Sequence, residues 1–430
     1  MTGEKALETL RGVFHYQQFR GCQQESINSV LSGQNTLLIM PTGGGKTICY
    51  AVPAVMEQKI TVVIFPLLAL LLDQVERLRS RGLNVCYLMS EMAQSEKENI
   101  FHKLNLNPPE HNFLFVTPET LSTPTVFELL RKISSNDLNF FVIDEAHCID
   151  MWGFHFRPSY SELWKLAEFG RPILAMTGTA TKRAEDAILK SLGLPADTVV
   201  IKQCSNRPNL LYHVLEKKSD GKDALVELIK KEFTVQCGIV YCVERSDTVH
   251  IAYRLKVAGI NAVYFHAGMD VFAKQQSVEN WKSGGAHVMC ATVAFGMGID
   301  KPNVRFVIHH SVPKDLESYV QESDRTGRDG IDAHCYIYFR FEDRTKHLRN
   351  ISSLPDTDRK SIFLNRLNDI VKYCITPVCR RKQIVTYFDG VDNSGSLCNR
   401  SCDVCSANTN MTPVDHSVDA VSIVKCVESM

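Results

Sequence analysis

The chain is 430 residues long, room for two or three domains at about 100–200 residues each, and 44% of it is hydrophobic and 22% charged. Those are the proportions of an ordinary globular protein; there is no run of about 20 uninterrupted apolar residues to span a membrane, and the Met1–Phe14 segment contains acidic residues and lacks the apolar core of a secretory signal. With 48 basic and 48 acidic residues there is no global positive field, so a nucleic-acid partner would need a local basic groove. Fifteen cysteines are present, but Cys49, Cys148, Cys237, Cys242 and Cys290 are scattered through apolar runs, where a free thiol acts as a small buried hydrophobe. That pattern predicts a reducing compartment rather than secretion.

Strand-like apolar runs alternate with helical patterns, which predicts an α/β fold with mostly parallel sheets. In the first half the runs are Thr36–Met40, Thr61–Phe65, Phe113–Thr117, Phe140–Asp144 and Ile173–Thr177. In the second they are Gly238–Cys242, Asn261–Phe265, His287–Ala291, Arg305–His309 and Cys335–Phe339. Five and five predict two similar lobes in tandem, with Ser205–Gly221 as the connection and Asn105–Asn112 as a surface loop of the first lobe. From about Asp343 the pattern turns helical and charged, then ends in a cysteine cluster; Val418–Val427 is a short amphipathic run near the end.

The first run leads into Pro41-Thr42-Gly43-Gly44-Gly45-Lys46-Thr47 and then into a helical pattern from Ile48. Glycines there let backbone N–H groups turn inward around phosphate oxygens, helped by the positive end of the helix. Lys46 is expected to meet the β- and γ-phosphates and Thr47 to put its hydroxyl on Mg²⁺. Met40 stands where the strict phosphate-loop pattern has its first glycine. Asp144-Glu145-Ala146-His147 closes the fourth run: a carboxylate at a strand end can hold Mg²⁺, and its neighbour can orient or deprotonate the attacking water. Together the two motifs predict a nucleotide triphosphatase. Farther on, Cys379-x₁₈-Cys398-x₃-Cys402-x₂-Cys405 offers four thiolates at structural-zinc spacing, a closed site that would fold a segment too small for its own core.

From about Phe14 to Cys405 the order of motifs resembles the RecQ branch of superfamily 2 helicases, most specifically in Met40–Thr47, Asp144–Ile149, Ala291–Val307 and Gln321–Gly330. The resemblance implies two tandem RecA-like parallel-sheet lobes, residues 1–206 and 207–342, a helical zinc-binding subdomain, 343–408, and a tail, 409–430. It also implies that Tyr16, Arg20 and Gln23 contact adenine, and that Gln321, Arg325 and Arg328 face the γ-phosphate across a cleft between lobes. Trp152, Phe156 and Arg157 would stack on unpaired DNA bases. Read without the family, Phe14–Gln23 is a helix-entry segment with core aromatics, Trp152–Pro158 a hydrophobic surface cluster, and Arg325 and Arg328 solvated helix charges.

Several positions depart from the usual family pattern: Gly21 for Pro, Ala69 and Leu72 for a Ser and a Lys that touch the DNA backbone, Phe154 and His155 for His then Asp, Gly178 for Ala, and Asp324 for Gly. Asp324 is the sharpest, because two unit charges about 4 Å apart interact by about 4 kcal/mol at an effective dielectric near 20. The family's winged-helix domain is not expected in the residues after the cysteines. The expected activity is ATP-driven 3′–5′ translocation on single-stranded DNA with unwinding of duplex DNA. ATP, Mg²⁺ and Zn²⁺ are the cofactors, no membrane is involved, and the nucleus is the location in a eukaryote, with a role in repair and recombination. The alternatives are an ATP-gated DNA-binding protein with impaired hydrolysis, and an RNA helicase sharing the same lobes.

Overall fold

The computed structural model describes residues 2–106, 108–133, 137–149, 158–219, 221–296, 301–355, 357–390, 398–407, 415 and 417–428. Two parallel sheets dominate it. The first contains β1 (Thr36–Ile39), β2 (Ile60–Ile64), β3 (Val85–Tyr87), β4 (Phe113–Val116), β5 (Leu138–Ile143), β6 (Ile173–Thr177) and β7 (Val199–Lys202). Its spatial order is β3-β4-β2-β5-β6-β1-β7. The second contains β8 (Leu210–Glu216), β9 (Cys237–Tyr241), β10 (Ala262–Phe265), β11 (Val288–Ala291), β12 (Val304–His309) and β13 (Ala333–Phe339), in the order β10-β11-β9-β12-β13-β8.

Parallel strands need helical crossovers, and helices on both faces bury both faces, so the central strands are apolar throughout rather than alternating with polar residues. β1 illustrates this: Leu37 and Ile39 enter one core while Leu38 and Met40 enter the core on the other side. The helices after β1, β2 and β9 (Lys46–Glu57, Leu68–Arg79 and Arg245–Val257) are such crossovers. The C-terminal ends of β1, β5 and β6 stand side by side, and in open α/β sheets that rim is where ligands bind.

The sequence runs identify the central strands and miss three at the sheet edges: β3, β7 and β8. Edge strands are covered on fewer sides, so their residues need not be uniformly apolar; β7 is largely half-buried or exposed, and β8 ends in polar Glu216. The segment expected to be a connection, Ser205–Gly221, therefore holds a strand that pairs with β13 along its whole length, Leu210 with Ala333 through Glu216 with Phe339.

Past β13 the helices Arg344–Ser352, Thr357–Ile375 and Arg380–Asp389 and the short helix Asp403–Ser406 pack on the second sheet. They share its core: Tyr212, Leu316, Tyr319 and Ile337 pack with Leu367, Ile370, Tyr373, Phe388, Cys398 and Cys402. Val418, Ile423 and Val427 of the last described helix, Ser417–Glu428, are exposed. No helix among the described residues is long and apolar enough to cross a membrane.

Candidate functional site

The phosphate loop hangs between β1 and the helix Lys46–Glu57. Gly43 and Gly45 have φ of +84° and +85°, a conformation glycine adopts at no steric cost. A Cβ on Gly44 would lie 2.6 Å from Met40 Cγ, and Met40 is fully buried. The methionine that replaces the pattern's first glycine is thus the floor on which the loop rests. Lys46 Nζ donates to the Met40 carbonyl at 3.2 Å, and Thr47 donates to Gln74 Oε1 at 3.2 Å.

Gln23, assigned to the adenine edge on resemblance, has its amide engaged elsewhere. Its Nε2 donates to the carbonyls of Gly44 (2.9 Å) and Gly45 (3.2 Å), and its Oε1 accepts from Arg20 N–H (2.9 Å). Buried carbonyls need donors, and the loop has claimed this one; Gln23 braces the loop from below. A Cβ on Gly45 would lie 2.5 Å from the same Nε2. Gly45→Ala is therefore expected to combine left-handed strain of about 1–2 kcal/mol with loss of the brace, weakening ATP binding roughly tenfold. Nucleotide titration checks this, with the thermal midpoint as the folding control.

Tyr16 is 40% exposed at the cavity rim, with the Arg20 guanidinium 5.9 Å and the Arg81 guanidinium 5.5 Å from its ring centre. Arg81, which sequence reasoning did not single out, also donates to the Phe14 carbonyl at 2.9 Å. An aromatic face backed by guanidinium groups suits stacking of a base.

Asp144 and Glu145 follow β5. Glu145 is one of the few non-glycine residues with positive φ, +50°, a cost tolerated where the surroundings enforce it. Its own N–H donates to Asp144 Oδ1 at 3.0 Å. Burial raises the Asp144 carboxyl to about 7, and the charge of Glu145 adds to the rise. Burial opposes the Glu145 charge too, but the hydrogen bond from His147 and the nearby Lys46 outweigh it and hold this carboxyl below its usual range. Asp144, Glu145 and Thr47 line the same cavity; their oxygens are the donor type that Mg²⁺ takes, and a divalent cation would relieve the repulsion between the two carboxylates. His147 Nδ1 lies 3.3 Å from Glu145 Oε2 and 3.0 Å from Thr177 Oγ1, while its Nε2 lies 3.2 Å from Gln321 Nε2. His147 thus links the first lobe's acid pair to the second lobe.

Gln321 belongs to the helix Leu316–Ser323, and Asp324, Arg325 and Arg328 follow it. Lys46, Thr47, Asp144 and Glu145 of the first lobe and Gln321, Arg325 and Arg328 of the second line one cavity of about 440 Å³. Arg325 is buried and donates to the Gly296 carbonyl; Arg328 Nε donates to the Asp324 carbonyl at 3.2 Å. Asp324 is buried and pairs with Arg207 at 3.4 Å. Burial raises its pKa, opposed by Arg207, Arg328, Lys46 and the Thr42 N–H. Trp152, Phe156 and Arg157 lie outside the described residues. Leu72 is 39% exposed on the helix Leu68–Arg79, where the resemblance expects a lysine.

The four Sγ atoms of Cys379, Cys398, Cys402 and Cys405 lie within 4.8 Å of one another, with Cys402 3.6 Å from Cys398 and 4.0 Å from Cys379. Tetrahedral thiolates about 2.3 Å from one ion would be spaced in this way. The spare Cys374 is buried in the shared core, apart from the cluster. Cys402, beside Cys379 and with the Cys405 N–H pointing at it, is drawn down to about 4, toward the thiolate that a metal needs. The cluster grips the second lobe's edge: Asp403 accepts the Val214 N–H at 3.0 Å and pairs with Arg380 at 2.9 Å.

Comparison with known proteins agrees in all three parts. The DEAD/DEAH box helicase family matches residues 20–187, the helicase conserved C-terminal domain 220–330, and the RecQ zinc-binding family 341–406. A putative ATP-dependent DNA helicase Q1 of Caenorhabditis briggsae is 37% identical over 436 residues, 99% of this chain and 69% of that protein. The chain belongs to the RecQ family of helicases. The RecQ-like DNA helicase BLM of Xenopus laevis is 37% identical over 429 residues, 96% of this chain but 31% of that protein, so the chain spans from about a third to about two thirds of these RecQ relatives. Among solved structures, Mycobacterium smegmatis helicase Lhr bound to ssDNA and AMP-PNP superposes with a TM-score of 0.62 at 19% identity, over 86% of this chain and 52% of that one. Saccharomyces cerevisiae Dbp5 bound to RNA and ADP BeF3 gives 0.60 at 16%, over 84% and 97%. These two share the fold. The RecQ zinc-binding match spans all four cysteines and corresponds to the module described above.

Proposed function

We propose that the chain is an ATP-dependent DNA helicase that steps 3′ to 5′ along single-stranded DNA and unwinds duplexes, acting in the nucleus in repair and recombination. The observation that carries the reading is the shared cavity: residues of both lobes line it, so a nucleotide bound there would link its hydrolysis to lobe closure. In this reading Tyr16 and Arg20 hold the base, and Thr42 to Thr47 cradle the phosphates. Asp144 and Thr47 hold Mg²⁺, which supplies charge neutralisation. Glu145 activates water, while Gln321, Arg325 and Arg328 neutralise charge on the transferring phosphoryl group. Trp152, Phe156 and Arg157 stack on unpaired bases. The names of the relatives support DNA as the nucleic acid.

ATP hydrolysis measured with and without single-stranded DNA, at one fixed low salt, tests it. Stimulation of at least about tenfold is expected, since DNA favours the closed lobes that bring the second-lobe arginines to the phosphate; stimulation by RNA alone would overturn the choice of DNA. A second reading, an ATP-gated DNA-binding protein with weak turnover, is favoured by one observation, the buried Asp324 carboxylate near Lys46 and Arg328. ATP binding without turnover under either condition would support it.

A further inference from the structure

The zinc-module helix Arg380–Asp389 begins directly after the ligand Cys379 and is tied at both ends to the connector between the sheets. At its C-terminal end, Asp389 Oδ2 accepts from the N–H and from the hydroxyl of Ser205, each at 3.0 Å. The same carboxylate pairs at 3.6 Å with Lys202, the last residue of β7, and Lys202 also donates to the Phe388 carbonyl. At its N-terminal end, Arg381, 1% exposed, donates to the Arg207 carbonyl and to Asn206 Oδ1 at 2.6 Å each, and to the Leu210 carbonyl at 2.9 Å. Residues 202–210 carry the chain from β7 to β8. One helix therefore holds both ends of that crossing.

A third contact reaches the nucleotide site from behind. The Tyr387 hydroxyl donates to Glu317 Oε1 at 2.8 Å. Glu317 and Gln321 share the helix Leu316–Ser323, and a spacing of four residues places them on one face, about 6 Å apart along the axis. Tyr387 and Asp389, two residues apart, thus join the last strand of the first sheet to the helix that presents Gln321. Arg207, whose backbone Arg381 holds, donates to the Thr42 carbonyl at 3.3 Å and to the Thr326 and Gly327 carbonyls at 3.1 Å each. None of Lys202, Ser205, Glu317, Arg381, Tyr387 and Asp389 lines the cavity shared by the lobes. Their contacts lie behind the site, where no nucleotide group competes for them.

We propose that Arg381, Tyr387 and Asp389 are positioning residues for ATP hydrolysis: their helix is a bracket that sets the angle of the Gln321–Arg328 segment to the phosphate loop. Groups that act on a reacting phosphoryl must be held to within about 0.5 Å by the residues behind them, and a misplacement of about 1 Å can cost about 10²-fold in rate. Hydrogen bonds to carboxylates are short and directional, which suits them to that task. The inference rests on the hydrolytic activity proposed above and gives the zinc module a part in it: the module orients second-lobe residues that it does not touch through the cleft.

The test is steady-state ATP hydrolysis by the full chain with single-stranded DNA, beside zinc analysis and hydrogen exchange. Tyr387→Phe and Asp389→Ala should each lower kcat about fivefold with KM for ATP within about twofold of wild type. Asp389→Asn keeps an acceptor for the Ser205 N–H and should stay within about twofold of wild-type kcat. The double variant Tyr387→Phe/Asp389→Ala should cost about as much as either single one, because both break one bracket. Exchange over residues 316–323 reads the bracket without turnover and should accelerate about fivefold in both single variants. Unchanged exchange there, wild-type kcat in both variants, or a rise in KM or a loss of zinc that matches the fall in kcat, overturns the proposal. Tyr387→Phe removes one oxygen and keeps the ring against Phe388, so it carries the test if Asp389→Ala fails to fold. A wild-type chain that hydrolysed no ATP with or without DNA would overturn the proposed activity, and the exchange result would still decide the bracket.

Discussion

Glu145→Gln is expected to leave ATP binding within about threefold of wild type and to lower the rate of hydrolysis by about 10²–10⁴-fold, the usual contribution of a positioned general base. The substitution keeps the shape and the backbone: glutamine suffers the same positive φ of +50° as glutamate does, so the strain of the native loop is unchanged. What changes is the ability to take a proton from water. Contacts that would hold the phosphates, the Lys46 ammonium and the N–H groups around Gly43 and Gly45, belong to the loop after β1 and stay in place, although the variant removes a negative charge near Lys46. The measurement is a single-turnover hydrolysis time course beside an equilibrium nucleotide titration. Full turnover in the variant would move the base to another group. Loss of binding and turnover together would mean that the Glu145 contact with His147 is needed to build the site.

The parts of the site that were legible in the sequence are those whose chemistry is contiguous. The phosphate loop and the acid pair each place their atoms within a few residues, and the four cysteines fall within one short segment, Cys379 to Cys405; local geometry then follows from glycine freedom, strand ends and metal-ligand spacing. Central strands are legible for the same reason, since burial on both faces leaves an apolar run that even one strand displays. The edges β7 and β8 are not, because half-covered strands lack that run.

Long-range polar contacts escape for a different reason. Arg207 reaches Thr42 and Asp324 across sequence separations of 165 and 117 residues, and nothing local distinguishes it from a solvated arginine in a proline-containing connection. Gln74, which accepts from Thr47, sits in a helix read from resemblance as DNA-facing. Gln23 shows the converse limit. The sequence shows that it offers a donor and an acceptor, but which partner claims them depends on carbonyls left over by the loop's own turn. Asp324, whose orientation was open in the sequence, is decided by the connector arginine beside it.

Cys402→Ser should reduce bound zinc from about one per chain to near zero and lower the thermal midpoint of the second lobe, while leaving the phosphate loop's own geometry in place. Of the four cysteines, Cys402 is the most buried, at 1% exposure, and its sulfur lies nearest two of the others. Serine supplies an oxygen with a much higher pKa and a shorter reach, a poor fourth ligand for zinc. Structural zinc contributes about 10–16 kcal/mol of binding free energy in small domains, and that binding energy is folding energy. Losing it frees Asp403 from Val214 and Arg380, and Ser401 from Arg381. Those contacts clamp the edge strand β8 and the Asn206–Leu210 connector, so the damage should spread from the metal to the lobe junction. Metal analysis of purified protein, followed by hydrogen exchange over residues 205–216, reads both effects. If zinc is lost but exchange at 205–216 stays at the wild-type rate, the module is an independent appendage. If exchange there accelerates by tenfold or more, the zinc site is part of the frame that holds Arg207 between the lobes.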